Sequence, residues 1–572
     1  MSGTRNGRGR TGGQLLVDCL RVQGVDIAFC VPGESYLPVI DALYDVRDAL
    51  RLVVCRQEGG AAIMAEAHGK LTGRPGVCFV TRGPGATNAS TGIHTAFQDS
   101  TPLVLFVGQV SRDVRDREGF QEVDFRAMFA PLAKWSAEVP DARRIPEYVH
   151  RAFQTALAGR PGPVVLALPE DVLSDVVEER LDLGLPARPL AAAPSATEVE
   201  GIADLVRRAS RPLVIVGGGG WSQAAAGRLA AFAEAWDLPV AVSLRCQDYV
   251  DNAHPSYVGH LGIGAEPSLV ARVKEADCLL VLGARLGEMT TAGYTILRPP
   301  RPGAVLVHVH PDPEELGRVY QADLPVNASP ALVAAALADL TPAPERPWAA
   351  WARAARTEYE ASLAPLPQPG GVDLGQVMAT LRRRLPEDTV VCSGAGNYTG
   401  WVHRTWVFRR WRSQLAPTSG AMGYGVPAAV AASLVHPGRT VLSVNGDGCF
   451  LMHGQELATA AQYGARILFL VVNNGMYGTI RMHQERKYPG RVHGTALANP
   501  DFVALARAFG LSGERVEKTE QFEPALDRAL AAPTSALVEL VVDPEAISVR
   551  TTLSRLREQA LARQHAGTQA SG

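Results

Sequence analysis

No segment of this chain approaches about 18 uninterrupted apolar residues, so the sequence offers no membrane-spanning helix. Neither charge sign dominates: 56 Lys and Arg stand against 58 Asp and Glu, a formal net charge of −2. That balance removes the global electrostatic reason to expect nucleic acid or an anionic membrane as a partner, and leaves any small anionic ligand to local geometry. Paired cysteines are missing too. The eight cysteines show no CxxC spacing, and most stand inside apolar runs such as VCFV (77–80) and DCLLVLG (277–283). The pattern predicts buried free thiols in a reducing compartment, the cytoplasm, and argues against a disulfide framework. The opening MSGTRNGRGRTGG is basic and glycine-rich without an apolar centre, which excludes a secretory signal and predicts a frayed terminus over residues 1–13.

What is present is regular alternation. Short apolar runs at 77–80, 103–107, 164–168, 213–216, 279–282, 305–309, 441–444 and 467–472 are separated by Ala- and Leu-rich helical stretches. Runs of this length bounded by Gly and Pro read as strands buried on both faces of a parallel sheet, and strand–helix alternation reads as repeated βαβ units. Two stretches rich in Pro and Ala, 185–197 and 341–371, read as linkers. The fold class expected is therefore α/β, with three Rossmann-like parallel-sheet domains at 12–185, 197–340 and 372–546, similar in class but not copies of one another. The last twenty-five residues are polar and helical at best.

The most specific chemistry runs from residue 443 to residue 480. An apolar strand ends in Asn445-Gly446-Asp447-Gly448, and a second ends in Asn473-Asn474-Gly475-Met476 after 24 intervening residues, enough for one helix and a return strand. This spacing predicts Asp447 and Asn474 at the carboxyl ends of neighbouring parallel strands, where open α/β sheets bind ligands. An Asp carboxylate and an Asn carbonyl are hard oxygen donors suited to Mg²⁺ or Ca²⁺, and the Met476 backbone carbonyl could supply a third. Gly446 and Gly448 let the backbone approach a diphosphate, and the following helix turns its N-terminus to the negative charge.

With these motifs the sequence resembles the thiamine-diphosphate-dependent enzymes, and within them the acetohydroxyacid (acetolactate) synthase large subunits, over nearly the whole chain. The resemblance implies a pyrimidine-binding, a middle and a diphosphate-binding domain in that order. It implies thiamine diphosphate and Mg²⁺ held by Asp447, Asn474 and Met476, with Cys449 and Tyr477 beside them. Asn397 and Tyr398 in SGAGNYTG occupy a place where the family usually has Gln-His on the diphosphate. Glu58, in Arg56-Gln57-Glu58-Gly59-Gly60, matches the family's activating glutamate, whose protonated carboxyl drives the aminopyrimidine to its imino form. Met422, in GAMGYGVPAA, matches the apolar wedge that folds the cofactor. Phe120 and Gln121, in GFQEVD, match a pair lining the reaction site.

The departures fall on substrate choice. A selecting tryptophan is replaced by His483, a lysine by Glu170 and a middle-domain arginine by Met289. The glycine-rich catalytic turn reads Pro32-Gly33-Glu34-Ser35, adding a carboxylate and a hydroxyl. His94, also new, reads as a satisfied buried histidine. In the middle block VIVGGGGW follows a strand but lacks a good GxGxxG fingerprint; the family's structural FAD is an open expectation there, with Arg285 kept and Gly262-Ile263-Gly264 altered. His308 and His310 read as structural.

The activity implied is that of a carboligase in branched-chain amino acid biosynthesis, which decarboxylates a 2-oxo acid such as pyruvate and ligates the enamine to a second carbonyl. The alternatives are a non-ligating decarboxylase, a flavin-linked oxidase and a non-catalytic cofactor-binding homologue. The resemblance further implies a homodimer or homotetramer with active sites between subunits, with a small regulatory subunit as an open partner.

Overall fold

The computed structural model describes residues 9–570. It divides into two compact units, Met1–Ala191 and Ala192–Gly572. The first is built on one six-stranded parallel sheet, ordered Arg51–Val54, Ile27–Cys30, Gly76–Val80, Leu103–Gln109, Pro163–Pro169 and Trp135–Glu138. The second unit holds two such sheets. Its middle sheet runs Tyr257–His260, Val240–Val242, Pro212–Val216, Cys278–Leu282, Val305–Val309 and Leu324–Val326. Its last sheet runs Gln414–Leu415, Val390–Ser393, Val441–Gly446, Leu468–Asn473, Ala536–Val541 and Ser512–Val516. The α/β class and the three parallel sheets agree with the alternation of apolar runs. All eight cysteines are free and buried. Among the described residues no helix is long and apolar enough to cross a membrane.

Strand order decides where ligands can sit. In the first and last sheets the second strand in sequence pairs to one side of the first, and the third pairs to the other. The connections after the first and third strands therefore diverge to opposite faces and leave a crevice at the carboxyl ends, the switch point at which open sheets bind ligands. In the first unit that crevice lies between Ile27–Cys30 and Gly76–Val80; in the last sheet it lies between Val390–Ser393 and Val441–Gly446.

Helix Glu58–Thr72 follows the edge strand of the first sheet and is buried over almost its whole length. Its small residues allow this. A methyl at Gly92 of the neighbouring helix Gly83–Asp99 would stand 2.4 Å from the Ala62 Cβ, so the two helices meet closely.

Two expectations need correction. Residues 1–8 lie outside the described residues, but 9–13 are not frayed: Arg10–Thr11 pairs antiparallel with Val176–Val177. Thr11 then caps helix Gly12–Val22 in a reciprocal capping box with Gln14. Gly12 and Gly13 are packed, not loose, since methyls there would stand 2.1 Å from the Val172 carbonyl and 2.4 Å from that of Pro38. The stretch 341–371 is no plain linker, because it contains helix Ala349–Ser362, anchored by buried Trp348, Ala355 and Tyr359. The polar C-terminal stretch is helical, as expected: it forms helix Leu553–Ala570, whose Leu553 and Leu556 pack with Met476, Met482 and Ile547.

Candidate active site

In the last sheet Asp447 directly follows a strand that borders the switch point, and Asn474 follows that strand's neighbour on the other side, in parallel register. The Asp447 carboxylate is buried, and the donors bonded to it are neutral. Oδ1 accepts from the Gly448 N–H at 2.8 Å; Oδ2 accepts from the Gly475 N–H at 2.8 Å and from Asn499 Nδ2 at 2.7 Å. Burial pushes its pKa above the ordinary carboxylate value despite these bonds. A buried anion with no cationic partner among the described residues is the environment a divalent cation relieves. Asn474 Oδ1 accepts from the Met476 N–H at 3.2 Å, closing a tight turn that holds the amide oxygen beside the backbone. That loop is tied in turn to residues 495–497 by Tyr477 N–H to Thr495 O and Leu497 N–H to Gly475 O. Among the described residues no group of three His, Cys, Asp or Glu is placed to hold a metal ion. A cation here would rest on Asp447, amide oxygens and whatever anion the ligand brings.

The surrounding backbone is packed too tightly for side chains. Methyls at Gly446 and Gly448 would stand 2.9 Å from the Tyr398 ring and 2.6 Å from the Tyr477 ring. Gly423, beside Met422, has φ +78° and its carbonyl meets buried His453 Nδ1 at 3.0 Å. Cys449 Sγ accepts from the Gly423 N–H at 3.2 Å and from the Tyr398 hydroxyl at 3.3 Å, so it joins the strand end to the Met422 loop. Met422 itself is half-buried against the core of this sheet. Asn445 Oδ1 is buried and has no partner among the described residues. Asn397 sits at the crevice, but its amide is engaged: Nδ2 donates to Ile547 O at 2.9 Å and Oδ1 accepts from the Thr479 hydroxyl at 2.9 Å. Two participants escaped the sequence reading. Asn499 is one; Arg245 is the other, reaching from the middle sheet to the carbonyls of Gly394, at 3.1 Å, and Pro417.

The first unit gathers a second group at its own switch point. Glu58 opens its helix behind the N-cap Gln57 and accepts from Asn88 Nδ2 on Oε2 at 3.0 Å. Gly85 lies next to it; a methyl there would stand 3.5 Å from Glu58 Oε1 and 3.0 Å from the Thr81 side chain. Gly33 crowds Thr81 from the other side. Ser35 does not offer its hydroxyl to a ligand: it is fully buried and bonds Thr81 Oγ1 at 3.0 Å. Glu34 does remain exposed, and it meets Arg82 Nη1 at 3.4 Å while Glu170 takes Arg82 Nη2 at 2.5 Å. Two of the departures found in the sequence thus converge on one buried arginine that the sequence reading did not single out. Gln121 stands in the left-handed region at φ +63°, held by its carbonyl accepting from the Gly83 N–H at 3.0 Å, and leaves Phe120 70 % exposed. His94 is exposed on its helix, so the expectation of a satisfied buried histidine fails there.

Comparison with known proteins matches residues 10–128, 199–337 and 394–540 to the N-terminal TPP-binding, central and C-terminal TPP-binding domains of thiamine pyrophosphate enzymes. The chain belongs to this family. Its relatives include the acetolactate synthase large subunit of Corynebacterium glutamicum, 34 % identical over 91 % of this chain and 84 % of that protein. The isozyme 2 large subunit of Escherichia coli is 32 % identical over 93 % and 95 %. The mitochondrial catalytic subunit of Saccharomyces cerevisiae is 30 % identical over 94 % and 81 %.

Within the family frame the middle sheet gives its glycine run a structural explanation. Methyls at Gly217 and Gly218 would stand 1.9 Å from Ser243 Oγ and 2.0 Å from Gly283 O, while Trp221 Nε1 and the Tyr249 hydroxyl donate to the Gly217 and Gly218 carbonyls. Close packing at this crevice accounts for both glycines, so they carry no argument for a flavin phosphate. His308 and His310 are buried and bonded to local backbone, as read. Met289 and His483 are exposed.

Proposed function

We propose that this acetolactate-synthase-like chain decarboxylates a 2-oxo acid such as pyruvate and joins the remaining acyl unit to a second carbonyl. The observation that carries the reading is the buried Asp447 carboxylate, bonded to neutral donors at the switch point of a sheet that belongs to the thiamine pyrophosphate enzymes. Asp447, the Asn474 amide oxygen and the Met476 carbonyl would hold Mg²⁺, with the glycines around Asp447 admitting the diphosphate. Bound thiamine diphosphate supplies the electron sink that lets carboxylate leave as CO₂. Glu58 would act on the aminopyrimidine ring as its activating carboxyl, oriented by Asn88, which donates to Oε2. Met422 acts as the apolar wedge, and Gln121 and Phe120 line the substrate side. Tyr398, Cys449 and Tyr477 keep the diphosphate loops in place, and Asn397 contributes through its backbone more than its engaged amide.

We further propose that copies pair so that Glu58 of one serves Asp447 of another, with a small regulatory subunit as an additional partner and the cytoplasm as the location. The visible spectrum of purified protein tests for a flavin. The deciding experiment follows CO₂ and acetolactate from pyruvate with Mg²⁺ and thiamine diphosphate. Glu58→Gln should lose about 10²–10⁴ in rate. Mixing Glu58→Gln with Asp447→Ala protein should restore part of the activity if sites are shared between copies. Equal rates for wild type and Glu58→Gln would overturn the role of Glu58.

A further inference from the structure

The Glu34–Arg82–Glu170 cluster has no part in the chemistry above, yet it lies at the switch-point crevice of the first sheet. Glu34 follows the strand Ile27–Cys30, Arg82 follows its neighbour Gly76–Val80, and Glu170 follows Pro163–Pro169. Thr81 connects this group to Glu58, since it is in contact distance of both Gly33 and Gly85, and Gly85 borders the Glu58 carboxyl. The charges do not balance. Arg82, with its side chain 8 % exposed, is matched by Glu170 at 2.5 Å. Glu34 is a second carboxylate on the same guanidinium, looser at 3.4 Å and 67 % exposed. One cation therefore serves two anions, and the surplus negative charge is the one facing solvent.

From this placement we propose that Glu34 sets the charge of the acceptor, so that the enzyme joins its acyl unit to an uncharged aldehyde in preference to a second 2-oxo acid anion. The inference rests on the carboligase reading above and names its acceptor class. The two substrates feel the surplus charge differently. The donor brings a carboxylate but sheds it: the bond to the carboxyl carbon breaks, the electron pair stays on the acyl carbon, and neutral CO₂ departs. An acceptor acid would keep its carboxylate through bond formation and in the product, so its repulsion by Glu34 persists. With an aldehyde, the acyl carbon's electron pair forms the new carbon–carbon bond, the aldehyde oxygen takes up a proton, and the product is a neutral hydroxyketone. Arg82 offsets little of the penalty, because its single positive charge is already shared by two carboxylates.

The test offers holoenzyme pyruvate as donor with butanal and 2-oxobutyrate, both four-carbon acceptors, competing at equal concentration. The ratio of hydroxyketone to acetohydroxy acid is read by mass spectrometry at neutral pH. This ratio is taken within one sample, so it does not depend on how much of a variant folds. Wild type should favour butanal, and Glu34→Gln should move the ratio about tenfold toward the acid. Raising ionic strength from about 0.01 to about 0.5 M should lower the wild-type ratio and affect Glu34→Gln less. A wild-type preference for 2-oxobutyrate, or a ratio unmoved by Glu34→Gln, overturns the acceptor assignment while leaving the carboligase intact. Absence of CO₂ release from pyruvate in wild type overturns the carboligase reading itself.

Discussion

Asn499 is the residue whose replacement most directly tests the architecture of the diphosphate end. Its Nδ2 donates to Asp447 Oδ2 at 2.7 Å and to Asn473 Oδ1 at 2.9 Å. Asn473 in turn donates to Glu539 Oε1 at 2.7 Å, so one amide ties together the ends of two neighbouring strands. Asn499→Ala removes a hydrogen bond to a carboxylate, worth about 1.5–3 kcal/mol, and a neutral one worth about 1 kcal/mol. Part of that loss is returned by water, because Asn499 is only half-buried; a net destabilisation of about 2 kcal/mol is expected. The larger effect should be on the cation. Removing a group that orients a ligating carboxylate typically weakens metal binding about 10–100-fold. Calorimetric titration of Mg²⁺ with thiamine diphosphate present measures the affinity, and thermal melting of the cofactor-free protein measures the stability. A lowered melting temperature with unchanged Mg²⁺ affinity would refute the reasoning, because Asn499 would then support the fold without orienting Asp447.

Other consequences can be checked separately. Gly448→Ala places a methyl 2.6 Å from the Tyr477 ring and should weaken thiamine diphosphate binding about tenfold or more, read by the same titration. Buried Glu485 is held at about 2 first by Arg557, then by the Gly490 N–H and Arg481. Because its pKa lies below the ordinary carboxylate value of 4.5, its stabilisation is complete above about pH 5 and is lost as pH falls toward 2. Discounted for the half-exposed Arg557, this amounts to about 2 kcal/mol, and Glu485→Gln should flatten that part of the melting-temperature profile between pH 3 and 6. Asn252 is buried and bonds Phe408 N–H, Gln247 O and Val250 O. Asn252→Leu leaves those groups unpaired and should cost about 2–4 kcal/mol in chemical unfolding.

The sequence by itself determined the three parallel sheets, because strands buried on both faces need continuous apolar runs and these are visible without any partner. It also determined the strand-end positions of Asp447 and Asn474 and the helix-start position of Glu58, since each follows from a local motif next to such a run. Only the tertiary structure decided which side chains meet there. Asn499 reaches Asp447 across 52 residues and Glu170 reaches Arg82 across 88, distances over which pairing depends on strand order and not on any local spacing. The same holds for Ser35, whose hydroxyl is withdrawn into the core by Thr81 just past the adjoining strand, and for the helix Ala349–Ser362, whose Pro-rich flanks conceal a packed face. Local periodicity records how each segment is buried; the crevice between two strands is a property of their neighbours, and the chain writes those neighbours far apart.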